Sequence, residues 1–430
     1  MKKIIVRGPA LSRSGYGEQT RFALRALREN QDKFDIYLHT TSWGATSWLT
    51  EDDEERRWID SLLAKTVLYT QQRGAFDVSI QITIPAEWER LAPYNVGYTA
   101  GIETTKLSPL WLEKTYVVDK IIVPSKHSKD VFDTTSWEGT DQRTNQQIKL
   151  TCVKPVEVVN FPVKNIESEE INLELQTDFN FLCVAQWGPR KNVEKTLEWF
   201  VEEFYQDSDV GLVLKTNIAK NCLTDKRHCE ARLKAILDRY PHTFPHRQCK
   251  VYLLHGAMSE GEMTSLYTHS KIKAIVSTSH GEGFGLPLFE AAYNGLPVIA
   301  PDWSGQKDFL YAPQKDKKTK NIKQKALFSK VDYTLEDVDP RAVWENVIIA
   351  ESQWAVPKEQ SYKTNLRKVY KDYTKHKSLA NKLKKHIQKE LSEENQYNKF
   401  VDSLGISMES ENSNAEPWFK EINESVEVHD

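Results

Sequence analysis

Short apolar runs alternate along the whole chain with longer segments of helical periodicity. The strand candidates are residues 3–6, 78–82, 95–99, 121–124, 156–159, 179–185, 211–214, 251–254, 274–277 and 298–300. Helical periodicity is clear at residues 20–29, 344–352 and 362–391. Strands that alternate with helices in this way predict parallel sheets whose ligands bind at the carboxyl ends of the strands. We therefore predict an α/β protein with two Rossmann-like domains that face a cleft.

Three polar segments interrupt this pattern. Residues 139–149 are poor in apolar side chains and predict an exposed loop, and the lysine run at 315–325 predicts a mobile, solvated loop. From residue 406 the chain is acidic and has few apolar residues, so we expect a loosely ordered tail. The PWF triplet at 417–419 could dock on a partner or on the chain itself.

The stretch STSHGEGFGLPLFEAAYNGLPVIA, residues 277–300, combines a strand end, a glycine-rich loop, a short helix and a second strand. Gly281, Gly283 and Gly285 would let the backbone approach a ligand closely, and Pro287 suits the first turn of a helix. The amino terminus of that helix would face an anion such as a phosphate. Two carboxylates frame the unit, Glu282 in the loop and Glu290 one turn into the helix. Their spacing suits the sugar and the ribose of a nucleotide diphosphate sugar.

This stretch resembles the E-x7-E signature of the retaining family 4 glycosyltransferases, also called glycosyl transferases group 1, which have the GT-B fold. The resemblance implies that Glu282 contacts the donor sugar and Glu290 the ribose. It also implies a terminal helix that crosses back over both domains. On this basis we predict an acceptor-side domain at 1–164, a donor domain at 165–404 and an acidic tail at 405–430. The other donor-binding candidates in the stretch are His280, Gly283, Phe284, Gly285 and Leu286.

The first strand candidate runs into a loop with Gly15 and Gly17, whose amides we predict to lie beside the donor diphosphate. In the helix that follows, Arg21, Arg25 and Arg28 share one face. That face is either solvated or a basic wall for an anionic acceptor.

Aromatic and acidic residues further along this half are also candidates. Trp43 and Trp48 either anchor a loop or stack on a sugar or base. The motif GYTAGIETTKLSPLW resembles a subset of the same family, which implies that Glu103 faces the cleft near the reacting sugar. Alternatively, Glu103 caps the following helix.

In the second half, the strand at 179–185 leads into QWGPRKN. The resembled family carries an arginine just after this strand and a lysine five residues later, both on the diphosphate. Lys191 matches the lysine, but Gln186 stands at the arginine position. Glutamine lacks the charge and the bidentate donor geometry of arginine. Arg190 and Lys215 are therefore the candidates that replace it.

Composition limits the function classes. A chain of 430 residues, 39% hydrophobic, is long enough for two cores, and a formal net charge of −3 argues against a uniformly basic nucleic-acid binder. The apolar runs are far shorter than the roughly 20 residues of a membrane span, and the amino terminus is a strand and not a signal peptide. Five scattered cysteines fit a reducing compartment. We expect a cytoplasmic protein.

Two patterns could suggest a metal. Part of the second half is rich in cysteine and histidine, at Cys222, His228, Cys229, His242, His246 and Cys249. The spacing from Cys229 to the last two histidines fits a zinc finger, but Cys222 and Cys229 are too far apart for its first pair. Asp207 and Asp209 form a D-x-D sequence that we interpret as a surface turn. We predict no metal, and no cofactor besides the donor substrate.

The resemblance implies transfer of a sugar with retention at the anomeric carbon. Attack would come from the face of the leaving diphosphate, which would help to deprotonate the acceptor, while Lys191 and loop amides stabilise its charge. We expect a saccharide or glycolipid acceptor. Two alternatives stay open: transfer to a hydroxymethylated base in DNA, as in phage DNA glycosyltransferases, and a non-catalytic nucleotide-sugar-binding protein.

Overall fold

The computed structural model describes residues 1–140, 145–240, 246–315 and 321–406. The strands of the first half are β1 (Lys2–Gly8), β2 (Phe34–Thr40), β3 (Val78–Gln81), β4 (Tyr94–Tyr98), β5 (Lys120–Val123), β6 (Ser136–Thr140), β7 (Gln147–Thr151) and β8 (Val156–Val158). Its helices are α1 (Gly15–Arg28), α2 (Glu54–Gln71), α3 (Pro109–Lys114) and α4 (Lys126–Thr134). Six strands form a parallel sheet in the order β2-β1-β3-β4-β5-β8.

The second half repeats this architecture. Its strands are β9 (Phe179–Gln186), β10 (Val210–Asn217), β11 (Lys250–Leu254), β12 (Ile272–Val276), β13 (Val298–Pro301), β14 (Tyr311–Lys315), β15 (Ile322–Ala326), β16 (Ser329–Val331), β17 (Tyr333–Asp337) and β18 (Gln353–Pro357). Its helices are α5 (Val193–Phe204), α6 (Leu223–Leu237), α7 (Glu260–Thr268), α8 (Leu286–Tyr293), α9 (Lys307–Leu310), α10 (Glu359–Lys371), α11 (Tyr373–Glu390) and α12 (Glu393–Leu404). The second parallel sheet has the order β11-β10-β9-β12-β13-β16.

Both sheets follow from the buried apolar runs. In β1 and β9 the central residues are buried on both faces, as a parallel sheet covered by helices requires. In the two six-stranded sheets, each strand runs parallel to its neighbours. The predicted fold class, two Rossmann-like domains of the GT-B type, is confirmed.

The two halves share apolar packing. Phe161, in the crossing between the sheets, contacts Phe22 of α1 and Phe284 of the second half, with ring centroids 5.9 Å and 5.2 Å apart. The last helix, α12, returns to the first half: Phe400 packs on Phe22, and the hydroxyl of Tyr94 donates to the carbonyl of Leu404. The predicted crossing helix is therefore present, and it joins the end of the described chain to its beginning.

Several local predictions were wrong. The segment 139–149 is not an open loop, since its described ends belong to the antiparallel hairpin β6–β7, and the lysine run is flanked by the hairpin β14–β15. Hairpin pairing satisfies the backbone polar groups despite the polar sequence. Residues 344–352 form turns with a bridge from Trp344 to Ile348 and no helix, and the helix predicted at 362–391 is divided at Asp372. Residues 407–430, with the acidic tail and its PWF triplet, lie outside the described residues.

Candidate functional site

The candidate site lies where the strand order of the second sheet reverses. After β9 the chain adds β10 and β11 on one side, and then β12 on the other. Such a switch point leaves a crevice at the carboxyl ends of the two central strands, where open α/β sheets bind ligands. A 3₁₀ turn at Pro189–Lys191 follows β9, and the glycine-rich loop follows β12. Lys191 and Glu282 therefore emerge side by side.

Four charged side chains join the two halves at this crevice. The Nζ of Lys191 donates to both carboxylate oxygens of Glu282, at 2.6 Å and 2.7 Å. The Arg190 guanidinium donates to the carbonyl of Gly281 at 2.7 Å and lies 3.5 Å from Glu282. Its other terminal nitrogen lies 3.4 Å from Glu103, which belongs to the first half. The chain Glu103–Arg190–Glu282–Lys191 thus alternates in charge across the crevice.

Burial and neighbouring charges shift the pKa values of these four groups in different directions. Burial opposes ionisation of Glu282, but Lys191 and Arg190 outweigh it and hold the pKa of this carboxyl below its ordinary value. For Glu103 burial prevails over Arg190, so its pKa is raised. Burial likewise lowers the pKa of Lys191 despite the contact with Glu282. Glu282 is therefore the firmly ionised carboxylate and Glu103 the more readily protonated one.

Two glycines of the loop allow the backbones of the two halves to approach each other closely. A Cβ atom added to Gly281 would lie 2.0 Å from the carbonyl oxygen of Glu103, and one added to Gly283 would lie 1.8 Å from that of Ala100. These two glycines therefore make room for the backbone of the first half, and the predicted approach of the loop to a ligand stays a prediction. Gly285, with φ of +97°, is the left-handed cap of α8, where glycine carries no steric cost.

Two of the other predicted donor contacts, Phe284 and His280, already contact protein groups. Phe284 is buried between Phe161, Phe289 and Phe309, so it belongs to the core. The Nδ1 atom of His280 lies 2.6 Å from the carbonyl of Ala355, and its ring stacks on Trp354. Leu286 begins α8 as a half-buried residue. The structure gives Phe284 and His280 packing roles, which the motif alone did not reveal.

Glu290 lies in α8, as predicted. The hydroxyl of Tyr267 donates to its Oε2 at 2.8 Å. Burial raises the pKa of Glu290 to about 7, with Glu18 and Glu260 adding to the shift and Lys164 opposing it. This carboxyl can therefore change its ionisation near neutral pH.

In the first half, the predicted role of Gly17 is corrected. Its amide donates to the Ser14 side chain at 3.0 Å, which caps α1, and an added Cβ would lie 1.9 Å from the carbonyl oxygen of Ser12. This glycine permits tight packing and does not offer its amide to a diphosphate. Gly15 borders open space, so its predicted role stays a prediction.

Two further residues concern the missing arginine: Gln186, which stands at its position, and Lys215, which is proposed to replace it. Gln186 is exposed and donates to the carbonyl of Ile218 at 2.8 Å. The Nζ of Lys215 donates to the carbonyl of Gly256 at 2.5 Å. Burial and the nearby guanidinium of Arg13 lower the pKa of Lys215. Sequence reasoning missed Arg13, which reaches from the first half to the carbonyl of Met258; no motif marks it.

Comparison with known protein families gives a match that includes part of the candidate site. Residues 248–348, which include the glycine-rich loop and α8, match the model of the family described as glycosyl transferases group 1. The segment that carries the candidate site is therefore similar to that family. The serotype-specific mannosyltransferase WbdA of Escherichia coli is 31% identical over 123 residues, which are 29% of this chain and 13% of that protein. The chain therefore spans a small part of the curated relatives it matches.

Solved glycosyltransferase-fold structures extend over nearly all of this chain. HepE of Anabaena, in complex with UDP-glucose, has a TM-score of 0.57 with 12% sequence identity, covering 94% of this chain and 100% of HepE. Sucrose-phosphate synthase of Thermosynechococcus elongatus has a TM-score of 0.56 with 11% identity, covering 94% of this chain and 98% of its own. At such identity the likeness shows the fold. Among the described residues, no helix combines the length and apolar character needed to cross a membrane.

The arginine face of α1 is neither a solvated surface nor a basic wall. Arg21 is buried and donates to the carbonyls of Ala10 and Ser12. The other two arginines pair with acids: Arg25 with Glu18 and Glu55, and Arg28 with Glu54. Both interpretations were wrong, because the acids of α2, far along the sequence, neutralise the face.

The structure distinguishes between the interpretations given above for Trp43, Trp48 and Glu103. The ring of Trp43 lies 4.1 Å from that of Tyr16, so this residue anchors its loop, whereas Trp48 is 53% exposed. The alternative that Glu103 caps a helix was wrong, since Ser108 caps α3.

The two sequence patterns that could suggest a metal have structural explanations. Within the described residues, the potential ligands that converge are Asp225, Cys229 and His255. The carboxylate of Asp225 already accepts three backbone amides, from residues 218–220, and lies 2.8 Å from the Nε2 of His255. This arrangement closes the turn before α6. Of the six residues in the predicted cluster, His242 lies outside the described residues, and Cys222 is exposed while Cys229 and Cys249 are buried.

The D-x-D sequence occupies the predicted turn between α5 and β10. Asp207 pairs with Arg367 at 3.2 Å, and Asp209 accepts the hydroxyl of Tyr370 at 2.7 Å. Both carboxylates therefore bind α10.

Proposed function

We propose that this chain transfers a sugar from a nucleotide diphosphate sugar to a hydroxyl group of a saccharide or glycolipid, with retention at the anomeric carbon. The observation that carries the proposal is the Lys191–Glu282 pair at the switch point of the second sheet. A cation for the diphosphate and a carboxylate for the sugar hydroxyls lie beside each other there. The group 1 family match includes Glu282 and Glu290 and supports the assignment.

Donor binding would separate Lys191 from Glu282 and give each residue a new partner on the donor. The diphosphate takes Lys191 as its counter-ion, and the sugar hydroxyls donate to Glu282. Glu290, one helical turn beyond the loop, accepts hydrogen bonds from the ribose. Because Lys191 and Glu282 already stabilise each other, their separation is compensated only by a ligand that offers both an anion and hydroxyl donors. This requirement favours a whole nucleotide sugar over a free nucleotide.

In the proposed reaction, the bond from the anomeric carbon to the diphosphate oxygen breaks while the acceptor oxygen bonds to the same face. The acceptor proton passes to a diphosphate oxygen. Lys191 and the loop amides stabilise the negative charge of the departing diphosphate, which is the largest electrostatic demand of the step. Arg190 is held between Glu103 and Glu282 and adds positive charge at the crevice.

The acceptor proposal rests on two observations. The WbdA relatives are named as serotype-specific mannosyltransferases. The arginine face that a DNA acceptor would use is neutralised by acids. A cytoplasmic location is proposed from the sequence, because its five cysteines show no disulfide framework.

A donor panel tests the proposal. UDP-, GDP- and ADP-sugars are each incubated with the protein, and free nucleoside diphosphate is measured alone, with a mixed glycan pool and with hydroxymethylated DNA. Release from one donor that the glycan pool stimulates is the expected result. Stimulation by the DNA alone would overturn the acceptor proposal. Binding of nucleotide without release from any donor would overturn the catalytic one.

A further inference from the structure

Tyr16 stands between the two glycines that the sequence singled out, at the start of α1. Its side chain is buried, with 7% of the residue exposed, and its ring lies against Trp43. Burial raises its pKa, so the phenol stays neutral. Gly17 allows the helix to start against the backbone of Ser12, and the residue before it points inward.

The hydroxyl of Tyr16 holds one short segment of the first half. It shares a hydrogen bond with the Thr99 hydroxyl at 2.7 Å and accepts the backbone amides of Ala100 at 3.2 Å and Gly101 at 3.0 Å. Two successive amides thus converge on a single phenol oxygen. A phenol oxygen that accepts two amides and shares a third bond has its hydrogen-bonding capacity filled.

That segment forms the first half's side of the crevice. The carbonyl oxygens of Ala100 and Glu103 sit where side chains on Gly283 and Gly281 would otherwise be. The Glu103 carboxylate, three residues beyond Ala100, lies 3.4 Å from Arg190. Any shift of residues 99–103 therefore displaces the glycine-rich loop, Arg190 or both.

We infer that Tyr16 is a positioning residue, which sets Glu103 and through it Arg190 for the reaction. The inference rests on the proposed function. The side-chain hydrogen bonds of Tyr16 go to residues 99–101 and not to Lys191, Glu282 or Glu290; it acts by fixing the backbone that carries Glu103. Removal of its hydroxyl leaves two partly buried amides without their acceptor, and we expect the segment to move to regain partners.

The test compares Tyr16→Phe with Tyr98→Phe. Tyr98 ends β4 immediately before the same segment, and its buried hydroxyl faces the Gln19 side chain of α1, whereas the amides of Ala100 and Gly101 bond to Tyr16. We expect Tyr16→Phe to lower kcat about tenfold with donor KM changed less than threefold, and Tyr98→Phe to stay within twofold in both. Combination of Tyr16→Phe with Glu103→Gln should lower kcat no further than the more impaired single variant, since both act through Arg190.

Hydrogen exchange supplies a readout that does not require turnover. Amides in a peptide covering residues 99–105 should exchange faster in Tyr16→Phe than in the wild type or Tyr98→Phe. If the wild type releases no nucleotide, the proposed function fails, while exchange still decides whether Tyr16 fixes the segment.

Three results would overturn the inference: unchanged exchange, a kcat for Tyr16→Phe within twofold of wild type, or equal losses in Tyr98→Phe. Should Tyr16→Phe not fold, Thr99→Val removes a partner of the same hydroxyl and Thr99→Ser restores it. The valine variant alone should then lower kcat, and equal kcat values in the two variants would also overturn the inference.

Discussion

Replacement of Glu282 by glutamine perturbs the centre of the candidate site with almost no change in volume. The substitution removes the negative charge that Lys191 contacts through both carboxylate oxygens, at 2.6 Å and 2.7 Å. It also leaves an amide whose NH₂ group repels the lysine. The side chains of Glu282 and Lys191 are only 11% and 20% exposed, so solvent screens this loss weakly.

The expected magnitude follows from these contacts. Hydrogen bonds to a charged partner contribute about 1.5–3 kcal/mol, and we expect the free energy of unfolding to fall by about that amount. The donor sugar should lose a bond of the same kind in the transition state. Because each 1.4 kcal/mol is about tenfold, kcat/KM should fall about ten- to a hundredfold.

Glu198 provides a matched control. Its side chain is 10% exposed and bridges two cations, Lys195 and Arg239, each at 2.7 Å, but it lies on α5 and not at the crevice. Glu198→Gln should therefore lose some free energy of unfolding and keep its turnover, and the loss should be smaller than in Glu282→Gln because Lys195 and Arg239 are 51% and 59% exposed. Denaturant titration measures the first quantity, and release of nucleoside diphosphate from the accepted donor measures the second.

The comparison separates catalysis from stability. A Glu282→Gln enzyme with kcat/KM within threefold of wild type would refute the role of Glu282. Equal losses of turnover in both variants would show that stability alone explains the effect, which would also refute it.

The remaining predictions concern pH, packing and donor affinity. Donor affinity should rise as the pH increases through about 7, the pKa of Glu290, because its carboxylate accepts ribose hydroxyls better when it is ionised. Titration calorimetry at several pH values checks this, and Glu290→Gln should flatten the pH profile. Gly283→Ala should cost about 1–3 kcal/mol of stability or more in denaturant titrations, because its Cβ would lie 1.8 Å from the carbonyl of Ala100, whereas Gly139→Ala, where the Cβ meets open space, should cost little. Lys215→Ala should raise donor KM about tenfold, and unchanged steady-state kinetics would remove Lys215 from the site.

The sequence was most informative where one local pattern determines the structure. Apolar runs predicted ten of the twelve strands in the two six-stranded sheets and missed β2 and β16. The proline and glycine around α8 predicted its limits: Pro287 lies in its first turn, and Gly295, with φ of +79°, follows the capping residue Asn294. These features depend on residues close together in the chain, so a single sequence contains their cause.

Features that depend on distant partners could not be predicted. The arginine face of α1 faces acids of α2, and Gly283 faces the carbonyl of Ala100, at sequence separations that no motif encodes. Polar hairpins such as β6–β7 also escaped, because their strands are exposed and lack an apolar run. Tyr16 was overlooked since attention went to the glycines beside it.

The most direct test of the account follows the anomeric proton of the accepted donor by NMR during incubation with the glycan pool, for wild type and for Lys191→Met. The account predicts that the donor signal decays in the wild type while a glycoside with the same anomeric configuration appears, and that the variant is slower by at least tenfold. A product of inverted configuration would contradict retention. Equal decay in the two proteins would contradict the central claim that Lys191 and Glu282 form the donor site.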